Sequence, residues 1–337
     1  MGMPHPGTLD PHAYAHDRLR TLSREFVWSA GVGDDWKAAL RARLRTSIGL
    51  PERNNLPLDI EVLETRDMGD YNRETITYST RPGLRMFAYL LIPKGITADC
   101  PAIVCVPGHG EGVDAIVGES PMDYQNQFAI QSVRAGFVTL AIEPVGFGHR
   151  KASLDAEKGS SCNRDSHAAL MLGETMIGWR CYDAMVSYDL LRTRPEVDPS
   201  RIAIMGISGG GLVTFWTACL DERFAAAVVS GYFNTFFDSI LSVEHCIDNF
   251  APGLATIVEM PDMAALIAPR KLFVESGTLD PIFPQEAFQR ACATAETIFA
   301  DHGVPGSFAS DLFEADHIFS GTKAIPQLQN WFSISGG

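Results

Sequence analysis

The chain is short of positive charge: 27 lysines and arginines face 41 aspartates and glutamates over 337 residues, for a formal net charge of -14. Nucleic acids and anionic membrane surfaces require a basic footprint, and no run of lysine and arginine supplies one. Neither is expected as a partner. Long apolar runs are missing too, so nothing reaches the roughly 18 continuous apolar residues that suggest a membrane span. The N-terminus, "MGMPHPGTLDPHAYAHDRL", lacks the apolar core of a signal peptide. The seven cysteines are scattered without CxxC spacing, which suits a reducing compartment better than a disulfide framework. A cytoplasmic protein is expected. Metal motifs such as H-E-x-x-H and the dinucleotide fingerprint are absent, so neither metal nor cofactor is expected.

Hydrophobic residues make up 46% of the chain, enough for a large core. Around "DDWKAALRARLRTSIGL", Trp36, Ala39, Leu40, Leu44 and Ile48 recur at helical spacing. This helix belongs to an N-terminal extension, 1–57, expected to pack on its own domain or on a neighbouring subunit of a homodimer. From residue 58, "DIEVLETR", "ETITYST" and "RMFAYLLIP" read as strands, the last two forming a hairpin through 81–83. Five short apolar runs follow at 102–108, 137–144, 201–208, 225–231 and 271–277, as parallel strands buried on both faces would show. Helical segments are expected at about 122–135, 168–194, 209–221, 262–268, 285–303 and 322–333. "SFASDLFEADH" supplies one more strand. Strand and helix alternate, so 58–337 is expected to be one α/β domain with a mainly parallel sheet.

Four of the six residues 206–211 are glycine, and they surround Ser208. Gly206-Ile207-Ser208-Gly209-Gly210 fits G-x-S-x-G, the strained strand-to-helix turn that exposes a nucleophile. A serine hydroxyl is a weak nucleophile that needs a base oriented by a carboxylate. His317, after the last strand, is the expected base. Asp280, in "ESGTLDPIFP", is the expected acid. Gly209 offers an oxyanion donor at the start of the helix, and Glu111 or Gly110 a second from "GHGEG" at 108–112. His109 is expected to hold that loop by hydrogen bonding. The segment 144–180 is long for a connection and is expected to form a lid or pocket wall. Phe147, Met176, Trp179, Ile282 and Phe319 are candidate wall residues.

Taken together, "CVPGHGEG", "AIEPVGFGHR", "RPEVDPSRIAIMGISGGG" and "ESGTLDPIFP" resemble the α/β-hydrolase superfamily, most of all its acetyl xylan esterase and dienelactone hydrolase-like branches. The resemblance covers about residues 58–335. It implies an eight-stranded, mostly parallel sheet flanked by helices, a Ser208-His317-Asp280 triad and hydrolysis of a small carboxylic ester through an acyl-enzyme. Gly209 stands where deacetylase relatives often carry glutamine, and serine where true dienelactone hydrolases carry cysteine. Two other uses of the scaffold are a peptidase of the prolyl-oligopeptidase type and a non-hydrolytic or binding role.

Overall fold

A computed structural model describes residues 7–53, 56–96 and 98–334. Among the described residues one sheet of nine strands forms: β1 (Glu61–Asp67), β2 (Tyr71–Arg81), β3 (Leu84–Pro93), β4 (Cys100–Val106), β5 (Val138–Ile142), β6 (Val197–Ile207), β7 (Ala226–Ser230), β8 (Lys271–Gly277) and β9 (Phe308–Phe313). Their spatial order is β1-β2-β3-β5-β4-β6-β7-β8-β9. Pairing is antiparallel from β1 through β3 to β5, and parallel from β5 to β9. The α/β-hydrolase fold is thus present, with nine strands where the resemblance implies eight. The edge strand β1 is exposed along its whole length. Its Glu61, Glu64, Arg66 and Asp67 mark that edge with charge, which discourages pairing with another chain.

The helices are α1 (Pro11–Thr21), α2 (Asp34–Ser47), α3 (Val113–Val117), α4 (Phe128–Arg134), α5 (Cys162–Met171), α6 (Met176–Leu191), α7 (Gly209–Leu220), α8 (Leu254–Ile257), α9 (Gln285–Asp301) and α10 (Ala324–Trp331). Successive side chains of a strand point to opposite faces, and this explains the unbroken apolar runs. Val104, Val106, Ile202 and Ile204 join a core shared with α2, α6, α7 and α9. Ile103, Cys105, Ala203 and Met205 join a second core under α3, α4 and α10.

Three expected helices differ. The segment expected to be helical over 168–194 is two helices, interrupted where Gly173 takes φ +76° and Thr175 caps α6 by accepting the N–H of Gly178. The helix expected from 122 begins at Phe128, because Asn126 and Gln127 adopt positive φ. Residues Pro261–Leu266 form a 3-10 turn. No helix among the described residues is long and apolar enough to cross a membrane.

Candidate active site

β6 ends at Ile207 and α7 starts at Gly209, leaving Ser208 alone at the junction with φ 57° and ψ -120°. A non-glycine residue held in such a conformation costs of order 1–3 kcal/mol, so the surroundings must enforce it. Part of that enforcement is the Ser208 N–H, which donates to the carbonyl of Ser230 on β7 at 2.9 Å. Close backbone approach explains the glycines. A Cβ on Gly206 would lie 2.5 Å from Gly210 O and 2.7 Å from Val106 O, and one on Gly210 would run into Val106 O.

In the loop after β8, Asp280 turns its carboxylate back on its own backbone, where Oδ1 accepts the N–H groups of Ile282 and Phe283 at 2.8 and 3.1 Å. Its other oxygen, Oδ2, accepts the N–H of His317 Nδ1 at 2.6 Å. That bond fixes the tautomer in which Nε2 is an acceptor. Nε2 is buried without a partner among the described residues, and the imidazole lines a cavity with Ser208. The ring is stacked between Tyr124 and Phe283, with centroids 5.5 and 5.7 Å away. The loop carrying it is tethered by Glu275, whose carboxylate accepts the N–H groups of Ser320 and Gly321 at 3.0 and 3.2 Å. Burial pushes the Glu275 carboxyl up to about 7.

The loop after β4 closes the other side. Gly108 N–H donates to Gln125 Oε1 at 2.7 Å, the Tyr124 hydroxyl donates to His109 O at 2.7 Å, and Val113 N–H donates to Glu143 Oε1 at 3.0 Å. Glu143 is a second buried carboxyl raised to about 7 by burial. His109 and Gly209 line the cavity, whereas Gly110 and Glu111 are exposed and outside its lining. The cavity measures about 400 Å³.

The candidate wall residues separate. Ile282 lines the cavity. Phe147 sits edge-to-face against His109, 5.1 Å between centroids. Phe319 stacks on Phe128 in the core beneath α4, Met176 is buried, and Trp179 is hydrogen-bonded to Glu174 beside Arg81. Tyr124, Phe283 and His245, which no motif singled out, line the cavity in addition. Tyr124 was visible only as an aromatic inside an expected helix.

A polar cluster behind His109 also escaped the sequence. His109 Nε2 meets Asp248 Oδ2 at 2.9 Å, and Arg180 Nη1 meets the same oxygen at 2.5 Å. Cys162 and Cys246 complete a group whose donor atoms all lie within 4.8 Å of one another, a set able to hold a metal ion. Its members come from three segments with no ligand spacing in sequence, so no motif announces them.

Comparison with known proteins adds four findings. A family model described as "Abhydrolase family" matches residues 23–297, a span that holds Ser208 and Asp280 and stops short of His317. "Putative hydrolase YtaP" of Bacillus subtilis (strain 168) is 27% identical over 319 residues, covering 88% of this chain and 99% of that one. Among solved structures, a "putative acetyl xylan esterase" of Bacteroides fragilis NCTC 9343 superposes with a TM-score of 0.82 at 17% identity, covering 98% and 97% of the two chains. A glucuronoyl esterase of Solibacter usitatus gives a TM-score of 0.67 at 15% identity, covering 88% and 92%.

Proposed function

The chain belongs to the Abhydrolase family, and from that premise we propose that it is a serine hydrolase of carboxylic esters acting through Ser208, His317 and Asp280. One observation carries the reading: the Asp280–His317 pair at 2.6 Å leaves Nε2, without a partner among the described residues, on the cavity that Ser208 lines. Ser208 attacks the acyl carbon as His317 Nε2 takes its proton, and Asp280 stabilises the resulting imidazolium. The tetrahedral oxyanion is held by the Gly209 N–H at the α7 N-terminus. The second donor comes from the loop after β4. Of its residues, His109 lines the cavity while Gly110 and Glu111 are exposed, and the backbone N–H of Glu111 or Gly110, or of His109 itself, is the proposed donor. Each such donor contributes ~3–4 kcal/mol to transition-state stabilisation. His317 then returns its proton to the leaving alcohol, and water releases the acid by the same route.

A cavity of about 400 Å³ lies at the small end of ligand pockets, and a second of about 740 Å³ adjoins it through Glu244, His245 and Cys246. The larger one is lined by groups such as Ser160, Asn163 and His167, which suit a polar, hydroxyl-rich portion of the substrate. The esterase names among the structural neighbours support the same class of reaction. All seven cysteines are free, which fits a cytoplasmic enzyme.

Hydrolysis of a chain-length series of p-nitrophenyl esters by the wild type and by Ser208→Ala tests the reading. Turnover of acetate or butyrate that disappears in the variant is expected. Equal turnover by both proteins, or none by the folded wild type, would refute it.

A further inference from the structure

Behind the loop after β4, His109, Cys162, Cys246 and Asp248 converge from three separate parts of the chain. We propose that these four side chains are the ligands of a structural divalent-metal site of the zinc class, which fastens that loop to α5 and to the segment around 246–248. The donors are the right kind, since imidazole nitrogen, thiolate sulfur and carboxylate oxygen together select zinc and its close congeners. They are also the right number for a closed tetrahedral site.

The spacing fits as well. Zinc bonds of about 2.0–2.3 Å in a tetrahedron set ligand atoms roughly 3.3–3.8 Å apart. Here His109 Nε2 and Asp248 Oδ2 are 2.9 Å apart, Cys162 Sγ and Asp248 Oδ2 are 3.5 Å apart, and no pair of donors exceeds 4.8 Å. Small shifts of the side chains complete the geometry.

Three donors crowd a single oxygen of Asp248. Asp248 Oδ2 has Arg180 Nη1, His109 Nε2 and Cys162 Sγ all within reach, at 2.5, 2.9 and 3.5 Å. A metal turns two of these competitors into fellow ligands. Arg180 then serves as an outer donor, to Asp248 and, through Nη2, to Cys162 Sγ at 3.0 Å. Asn249 Nδ2 holds the remaining Asp248 oxygen at 2.9 Å. Such outer contacts orient the ligands of a metal centre. The charges close too: two thiolates and a carboxylate balance one divalent cation and the Arg180 guanidinium. Cys246 is half-buried and lines both cavities, which provides a way in.

The test uses the full chain, reduced and stripped with a chelator, then titrated with Co²⁺ alone. One equivalent is expected to produce a thiolate-to-cobalt charge-transfer band that Zn²⁺ abolishes. Cys246→Ser is expected to lose most of the band. Asn249→Ala is expected to keep it and bind on the order of 10-fold more weakly. With no substitution at all, Zn²⁺ is expected to protect Cys246 from alkylation in the wild type. A stripped wild type that stays folded and gives no band, a band unchanged in Cys246→Ser, or equal alkylation with and without Zn²⁺ would overturn the site. Ester hydrolysis is not measured, so the result is independent of the catalytic assignment.

Discussion

Asp280 and Glu275, one in the loop after β8 and one on the strand itself, are both buried carboxyls with opposite tasks. Asp280 is ringed by donors, two backbone N–H groups and His317 Nδ1. Glu275 accepts the N–H groups of Ser320 and Gly321 from the His317 loop, with the charge of Asp311 nearby, and burial raises it to about 7. Between pH 4.5 and about 7 the unfolded chain ionises this carboxyl while the folded chain keeps it protonated. The folded state then binds more protons, so this group's stabilising effect, fully present below pH 4.5, is lost as pH rises through about 7. Glu275→Gln mimics the protonated form. Denaturant titrations should show the variant gaining on the wild type from about pH 5 to about pH 8, by up to ~3 kcal/mol. A constant difference across that range would contradict this account of Glu275.

At the scale of elements, the placement of Ser208 depends on how closely β6, α7 and β4 approach. A methyl on Gly210 collides with the backbone carbonyls of Val106 and Pro107, neither of which can swing aside. Gly210→Ala should therefore lower stability by roughly 3 kcal/mol in urea denaturation. Gly159→Ala, where a Cβ meets nothing within 4 Å, should stay within about 0.5 kcal/mol of the wild type. Much of this junction was legible, because four glycines crowded around one serine at a strand end point to a tight strand-to-helix turn. The placing of Asp280 and His317 after strand ends was legible too, Asp280 behind the apolar run of β8 and His317 behind the more polar β9. The break between α5 and α6 was written in Gly173 and Thr175, but the apolar periodicity on both sides masked it. What no local pattern could reveal was the convergence of His109, Arg180 and Asp248, which tertiary packing over long sequence distances decides.

Across the whole molecule, the N-terminal segment is built into the hydrolase core. Leu40, Leu44 and Ile48 of this segment are fully buried in the core that α6 and α7 share. Lys37 Nζ donates to Ala268 O at 2.8 Å, and Arg41 donates to Leu266 O and Cys219 O at 2.8 and 3.1 Å, linking α2 to the segment before β8 and to the end of α7. Leu44→Ala should cost about 2–5 kcal/mol and lower the midpoint of one cooperative transition. A separate early transition for the N-terminal segment would show instead that it folds as an independent unit.

The central claim, that Ser208 is a nucleophile activated by His317, is tested most directly by mass spectrometry after treatment with a fluorophosphonate. The wild type should take up one adduct per chain, on the peptide containing Ser208, and Ser208→Ala should take up none. A folded wild type that remains unlabelled, or an adduct that persists in Ser208→Ala, would contradict it.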